Sequence, residues 1–429
     1  MRVLLTGANG FIGGHLAAAL LAAGHQVVAA VRRREAMTAR FPAAEAIAVD
    51  MNRDVTPAAW LPRLAHVDAV INCAGVLQGG RGQDIEAIHH RAPAALFDAC
   101  HAAGVRRVIQ ISAISADAEA GTDYALSKKR ADDHLKALDL DWVVLRPSLV
   151  YGEGAYGGTA MLRALAAFPL VTPLPGDGGQ AFRPLHVEDL ATTVLACLER
   201  DDLARHLLEP VGPQTETMES IVAQYRAWLG RPPARPLPIP LPVVRQLCRL
   251  ADLFGRGPLS STALAQIEYG NAGRRAGFSE TIGFSPTPMA QRLQARPAQT
   301  QDLWHARLYL LRPLVRAVLV LLWAASGLLG LATLQSHGLP LLQAAGLSPA
   351  LSVAAAVGAS LLDLVIAALL ALNLRPAATG VLQLLAIAVY TLALTWFSPA
   401  LWGDPFAPLL KNLPIAALVL VQMVLAEER

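Results

Sequence analysis

Charge is scarce in this chain. Asp, Glu, Lys and Arg together make up 16% of its 429 residues, while apolar residues reach 54%. An ordinary soluble domain carries about 25% charged residues, so the shortage excludes an intrinsically disordered chain, a charged coiled coil and a heavily solvated protein. A net charge of +3 is too small to point to nucleic acid, and no Lys- and Arg-rich stripe with interleaved aromatics is present. Cysteine is scarce too: Cys73, Cys100, Cys197 and Cys248 lie far apart and form no Cys-X-X-Cys pair. They read as buried thiols of a reducing compartment, and no metal site is expected.

The deficit is concentrated at one end. From Pro313 to Ala426 only Arg316, Asp363, Arg375, Asp404 and Lys411 carry a charge. Roughly 20 mainly apolar residues are needed to cross ~30 Å of hydrocarbon, and four segments qualify, near residues 313–333, 350–372, 377–397 and 405–426. Arg307, Arg312 and Arg316 sit at the start of the first segment and Arg375 in the second connection. By the positive-inside rule both termini are expected in the cytoplasm of a multi-pass protein of a bacterial inner membrane. The opening Met1-Arg2-Val3-Leu4-Leu5 is broken at once by glycines and does not read as an export signal. Asp363, near mid-bilayer, is expected to face the bundle interior and pair with Lys411 or a polar neighbour such as Gln383.

The first 300 residues read as α/β. Short apolar strands are expected at Val3–Thr6, Gln26–Val31, 46–50, Asp68–Asn72 and Arg107–Ser112, with helical patterns between them. That alternation implies a doubly wound parallel sheet of the Rossmann type. After the first strand comes Gly7-Ala8-Asn9-Gly10-Phe11-Ile12-Gly13, opening a helix. Glycines at these places let the backbone approach a pyrophosphate, whose charge meets the N–H groups of the helix N-terminus. The second strand ends in Val31-Arg32-Arg33-Arg34 with no carboxylate before Glu35. Arginines there suit the 2′-phosphate of NADP, with NAD as the alternative. Asp50 and Met51 are placed at the adenine edge.

These motifs, with those that follow, resemble the extended and atypical branches of the short-chain dehydrogenase/reductase superfamily, close to NAD-dependent epimerase/dehydratase-like proteins. The resemblance covers roughly residues 1–295. It rests on Thr6–Gly13, on Asn72-Cys73-Ala74-Gly75, on Tyr124-Ala125-Leu126-Ser127-Lys128, on Leu145–Gly152 and on Phe182–Asp189. The stretch Ala95–Ala113 is similar to the branch related to a respiratory complex I accessory subunit. The resemblance implies Gly7, Asn9, Gly10, Phe11, Ile12, Gly13, Arg32, Arg33, Asp50, Met51, Cys73, Ala74, Gly75 and Pro147 around the cofactor. Arg146 and Pro147 would place the nicotinamide carboxamide. Tyr124 and Lys128, at i and i+4, share one helix face. The ammonium is expected to lower the phenol's pKa so that Tyr124 exchanges a proton with substrate. The family's hydroxyl donor falls on Ser112 or Ser115, and spacing to Tyr124 favours Ser112 as catalytic and Ser115 as a substrate contact. Tyr151, Arg183 and His186 are assigned to the substrate cleft, a structural role for His186 remaining open. His89 and His90 read as an exposed helical face, with a polar contact near the cofactor as the alternative.

Four regions follow: a nucleotide-binding core at 1–150, a substrate lobe with closing segments at 151–295, a linker at 296–312 and a membrane domain at 313–426. Residues 317–330 and 401–414 resemble DoxX-like four-helix membrane domains. Between the lobes, Arg231–Pro242 is a proline-rich connector. It leads into a helix Pro242–Phe254 whose apolar face and arginines suit a membrane surface. Three functions compete. One is a membrane-anchored NAD(P)-dependent oxidoreductase or epimerase acting on a lipid- or quinone-like substrate. The others are a nucleotide-sugar epimerase or dehydratase, and a non-catalytic NAD(P)-binding assembly or sensor protein with a membrane redox partner.

Overall fold

A computed structural model of the chain describes residues 1–80, 82–154, 156–254, 259–273 and 277–426. It forms two compact units, Met1–Ala306 and Arg307–Arg429.

The first unit is built on seven strands, all parallel to their neighbours. Across the sheet they run His206–Leu208, Asp141–Leu145, Arg107–Ile111, Ala69–Asn72, Arg2–Thr6, Gln26–Val31 and Glu45–Ala48. Side chains alternate across the pleat, and both faces are covered. Val3, Leu5, Ile71, Ile109 and Val143 meet Leu16 and Leu20 of helix Phe11–Ala22 and Leu190 and Val194 of helix Val187–Glu199. On the other face Leu4, Val70, Val108 and Val144 meet Trp60 and Leu96, Phe97 and Cys100 of helix Ala92–Ala103. The chain order reverses beside Arg2–Thr6, which has the second strand on one side and the fourth on the other. A crevice opens there at the carboxyl ends of the strands, the place where such sheets bind ligands. The third strand ends at Ala48, so Asp50 lies in the following loop rather than at a strand end.

A smaller lobe pairs helices Gly157–Ala167 and Met218–Trp228 over Tyr151, Leu162, Leu174, Ile221 and Tyr225. The expected closing segment contains helices Phe278–Ile282 and Met289–Ala295; its opening residues 274–276 lie outside the described residues. The expected linker 296–312 is helical from Thr300 onward, because no helix stopper stands between Thr300 and the apolar run.

Helices Thr300–Ala332, Pro349–Ala371 and Pro376–Phe397 are long and apolar enough to cross a membrane. The fourth expected span is corrected: residues ahead of it turn at Pro399–Trp402, and the helix Asn412–Ala426 has 15 residues. At 1.5 Å per residue it is about 22 Å long, short of the ~30 Å of hydrocarbon. Pro405 and Pro408 shorten it, since proline removes a backbone donor. All four helices still share one core, through Trp323, Ile366, Ile387 and Val419. Helices touch closely where side chains are smallest: a Cβ on Gly330 would meet Ser360 Oγ at 2.4 Å, and one on Gly380 would meet Met423 Cγ at 2.2 Å. Asp363 does face the interior and pairs with polar neighbours, though not with Gln383 or Lys411. It accepts hydrogen bonds from Ser326 Oγ at 2.6 Å and Tyr390 Oη at 2.8 Å. Gln383 instead accepts from the Trp323 indole at 2.9 Å.

Candidate functional site

The first strand delivers Thr6 to the crevice, where its hydroxyl and the Asn72 amide together link three strand ends. Thr6 Oγ1 donates to Asn72 Oδ1 at 2.5 Å and accepts from the N–H groups of Cys73 and Ala74 at 3.1 and 3.2 Å. Asn72 Nδ2 in turn donates to Gln110 Oε1 at 2.7 Å. Gly7 follows with φ +68°, and a Cβ there would sit 2.7 Å from the Cys73 carbonyl oxygen. At Gly13 a Cβ would come within 2.2 Å of the Gly7 carbonyl oxygen. Gly10 caps the helix without a side-chain hydrogen bond, so no side chain competes for the first-turn amides of Phe11, Ile12 and Gly13. The turn is a cradle that fits a pyrophosphate. Asn9 is exposed at its tip.

Helix Asp123–Ala137 is started by Thr122, whose hydroxyl accepts from Ala125 N. It carries Tyr124 and Lys128 to the same crevice. Lys128 is buried, and its Nζ donates to the carbonyls of Ile111 at 3.0 Å and Ala74 at 3.4 Å. Burial lowers its pKa. The expected lowering of the Tyr124 pKa is reversed: burial, and then the charge of Asp132, pushes the phenol up to about 12. Tyr124 is therefore a protonated phenol at neutral pH.

His89 joins them, correcting its expected place on an exposed face. The turn Ala87–Arg91 is a π-helix, a widened turn that swings His89 inward. Its Nε2 accepts from Val76 N–H at 2.9 Å, which fixes the proton on Nδ1, bonded to Ser127 Oγ at 3.0 Å. Burial and the charge of Lys128 hold its pKa well below the ordinary value. His90 stays at the surface beside Glu86. Gly75 opens the floor between them: a Cβ there would lie 3.2 Å from Lys128 Nζ and 3.5 Å from His89 Nε2.

Ser112 does not point its proton at this centre. Its hydroxyl donates to Asp132 Oδ2 at 2.8 Å, and Arg146 Nε donates to the same oxygen at 2.9 Å. A hydroxyl has one proton to give, so Ser112 is committed to the fold and Arg146 with it. Ser115, also buried, makes no side-chain hydrogen bond among the described residues. Pro147 is buried behind Arg146.

At the far end of the crevice Arg32, Val49, Asp50, Arg53, Asp54 and Arg63 line a cavity of about 340 Å³. Arg63 is held by Asp54 at 2.9 Å and lies over the Trp60 ring at 5.3 Å. Arg53 is open to solvent, 3.6 Å from Asp50. Arg33 and Met51 do not line this cavity. Asp50 accepts from the Asn52 backbone and side chain at 3.0 and 3.1 Å.

On the substrate side, Phe11 faces the second lobe: it stacks on Tyr156 at 6.2 Å, and Gly152 lies against its ring. Tyr151 is buried in that lobe's core, its hydroxyl making no hydrogen bond among the described residues, and burial raises its pKa. Its ring meets His186 edge-on at 5.1 Å. His186 caps helix Val187–Glu199 by accepting from Glu188 N at 3.3 Å, the structural of its two expected roles. Arg183 Nε donates to the Gly212 carbonyl at 2.8 Å.

The glycine cradle and the crevice decide the nucleotide question together with sequence similarity. Residues 7–200 match the family described as NAD(P)H-binding, and residues 320–420 match the DoxX-like family. A 3-diazoavenalumate denitrifying reductase from Streptomyces is 32% identical over 270 residues, 56% of this chain and 86% of that protein. The chain belongs to the NAD(P)H-binding family. A ceramide reductase from Caulobacter vibrioides is 30% identical over 213 residues, covering 47% of this chain and 65% of the reductase. Among solved structures, UDP-glucuronic acid 4-epimerase from Bacillus cereus, in complex with UDP-glucuronic acid and NAD, aligns with 72% of this chain and 100% of its own. Its TM-score is 0.53 at 19% identity, a likeness of fold. This NAD(P)H-binding chain thus joins a Rossmann-type unit to a DoxX-like helical one. Sequence reasoning had passed over Asp132, Arg53 and Arg63. Asp132 had a signal, four residues after Lys128 on its helix, whereas the two arginines reach the cavity only through loop geometry.

Proposed function

We propose that this chain is a membrane-anchored, NADP(H)-dependent oxidoreductase whose acid and base is Tyr124, acting on a hydrophobic, membrane-associated substrate. The observation that carries the reading is the edge-on contact of Tyr124 with His89, with Lys128 buried next to His89 at Gly75 and held on the carbonyls of Ala74 and Ile111. The residues that would hold the dinucleotide are Gly7 to Gly13 at the pyrophosphate, Cys73 to Gly75 along its middle and Arg32, Arg53 and Arg63 at the 2′-phosphate. When bound, the nicotinamide supplies or accepts the hydride.

The protein's own work is proton handling and placement. Tyr124 donates its phenolic proton to a substrate oxygen as that oxygen gains charge, and takes it back in the reverse direction. Lys128, anchored on two carbonyls, keeps a third N–H to stabilise the resulting phenolate. Ser115 replaces Ser112 as the hydroxyl aimed at substrate. A lipid substrate gains support from the ceramide reductase relative and from the apolar spans of the same chain. In this reading Arg307, Arg312 and Arg316 keep the nucleotide-binding unit in the cytoplasm. A non-catalytic nucleotide sensor or assembly factor is the second reading, favoured by the engagement of Ser112 with Asp132.

The test is single-turnover oxidation of bound NADPH in nanodiscs made from the native host's lipids. Wild-type protein is expected to consume NADPH and Tyr124→Phe to bind it equally but react at least ~100-fold more slowly, the usual share of a positioned acid. Equal measurable rates would remove Tyr124 as the acid and base, and no turnover by either with full binding would favour the sensor.

A further inference from the structure

Helix Leu241–Phe254 buries one side and leaves another bare. Val244 and Cys248 are buried with Leu264 and Ile239. A turn away, Val243, Leu247 and Leu250 are 48%, 46% and 54% exposed. At i, i+4 and i+7 they form a continuous apolar stripe. Exposed leucines occur singly on any protein surface, but a stripe of three on one helix face does not arise from that scatter.

The charge around the stripe is one-sided. Arg231, Arg235, Arg245 and Arg249 fall between residues 231 and 254, against Asp252 alone. Arg245 pairs with Glu268 at 2.8 Å, whereas Arg249 is exposed and makes no ion pair among the described residues. Apolar residues on one face and arginines on the next match the two requirements of helices that lie in a bilayer interface.

The helix is also fastened to the rim of the catalytic crevice. Gln78, in the loop that begins at Gly75, donates to Asp252 Oδ1 at 3.0 Å. The next helix, Ser261–Tyr269, donates from Gln266 Nε2 to Thr122 Oγ1 at 2.9 Å, the cap of the helix that bears Tyr124. Anything seated on the stripe therefore sits beside the opening that leads to Tyr124.

We infer that the Val243–Leu247–Leu250 stripe docks on the surface of an anionic bilayer and turns the mouth of the crevice toward the lipid. This deepens the proposed function, resting on its membrane anchoring and adding the route by which a lipid substrate reaches Tyr124. The arginines read phosphate and carboxylate headgroups, and the stripe enters the boundary between headgroups and acyl chains.

The test uses the full chain in nanodiscs, with Leu250→Cys carrying an environment-sensitive fluorophore. In discs containing phosphatidylglycerol the label is expected to shift to the blue and to be quenched by spin-labelled acyl chains. Arg249→Glu, or discs of phosphatidylcholine alone, should reduce that quenching several-fold. An NADPH titration of each variant, expected to match wild type, shows that the fold is intact. A label that stays accessible to aqueous iodide in phosphatidylglycerol discs overturns the inference, as does shielding that rises with protein concentration and ignores the lipid, which would make a second copy the occupant. Docking without NADPH oxidation removes the enzyme reading alone; oxidation with a wet label removes the docking alone.

Discussion

His89 meets Tyr124 edge-on, with 5.3 Å between ring centroids and 84° between ring planes. The contact holds the phenol while the backbone of Val76 holds the imidazole. Because burial keeps His89 neutral below its ordinary pKa, its linkage to pH has one sign. The unfolded chain takes up a proton as pH falls through ~6.5 while the native ring stays neutral. Stability from His89 is complete above that pH and is lost below it. Thermal unfolding at pH 7 and pH 5 should show a larger acid loss in wild type than in His89→Gln, whose amide keeps an acceptor for Val76 but does not titrate. Equal losses would show that the ring already takes up protons in the native state.

The Tyr124 phenol, pushed up to about 12, predicts an asymmetry between directions. Reduction needs the protonated phenol and should run at a nearly constant rate from pH 6 to 9. Oxidation of an alcohol needs the phenolate and should climb with pH across the same range. The check is a pH profile of pre-steady-state rates in both directions; a reduction rate that falls between pH 6 and 8 would contradict the assignment.

Ser112, Asp132 and Arg146 form a buried unit. Removing one charge strands the other, so Asp132→Ala or Arg146→Met should cost about 3–5 kcal/mol in denaturant unfolding. Ser112→Ala should cost only about 1 kcal/mol and leave single-turnover chemistry nearly intact, whereas Ser115→Ala should slow it. The reverse order of effects on rate would restore Ser112 as the donor.

In the proposed NADP(H) site, Arg32 and Arg53 would select the cofactor. A charge-assisted hydrogen bond to phosphate contributes about 1.5–3 kcal/mol, so each Ala substitution should weaken NADPH about 10- to 100-fold with little change for NADH. Fluorescence titration with both nucleotides measures it. Parallel loss for both would place the arginines elsewhere on the dinucleotide.

Within the membrane unit, Asp363→Ala leaves the hydroxyls of Ser326 and Tyr390 without their shared acceptor. A loss of about 1–2 kcal/mol in detergent is expected, the scale of polar contacts between membrane helices, and a smaller one for Asp363→Asn. No change in either variant would show that the triad is not formed.

Much of this architecture was readable beforehand because its signals are local. Alternating apolar strands, the Gly7–Gly13 turn and the uncharged runs after Pro313 each lie within a short window of sequence. What escaped reading depends on contacts between distant segments. His89 looked solvent-facing until a π-turn rotated it, and Ser112 was preferred by spacing although Asp132 had already claimed its proton. Arg53 and Arg63 gave no hint because a loop, not a repeat, brings them to Arg32. The fourth apolar run was long enough on paper, but prolines within it left a helix of 15 residues.

The seven-stranded sheet contains no hairpin: every neighbouring pair is parallel and joined by a crossover. Emerging from the ribosome, the nascent chain therefore cannot zip up strand by strand from tight turns. Until His206–Leu208 is synthesised and seats against Asp141–Leu145, the open flank of the latter strand stays unpaired, a template for sticking to other chains. Chaperone protection during synthesis is thus a cost built into the strand order itself.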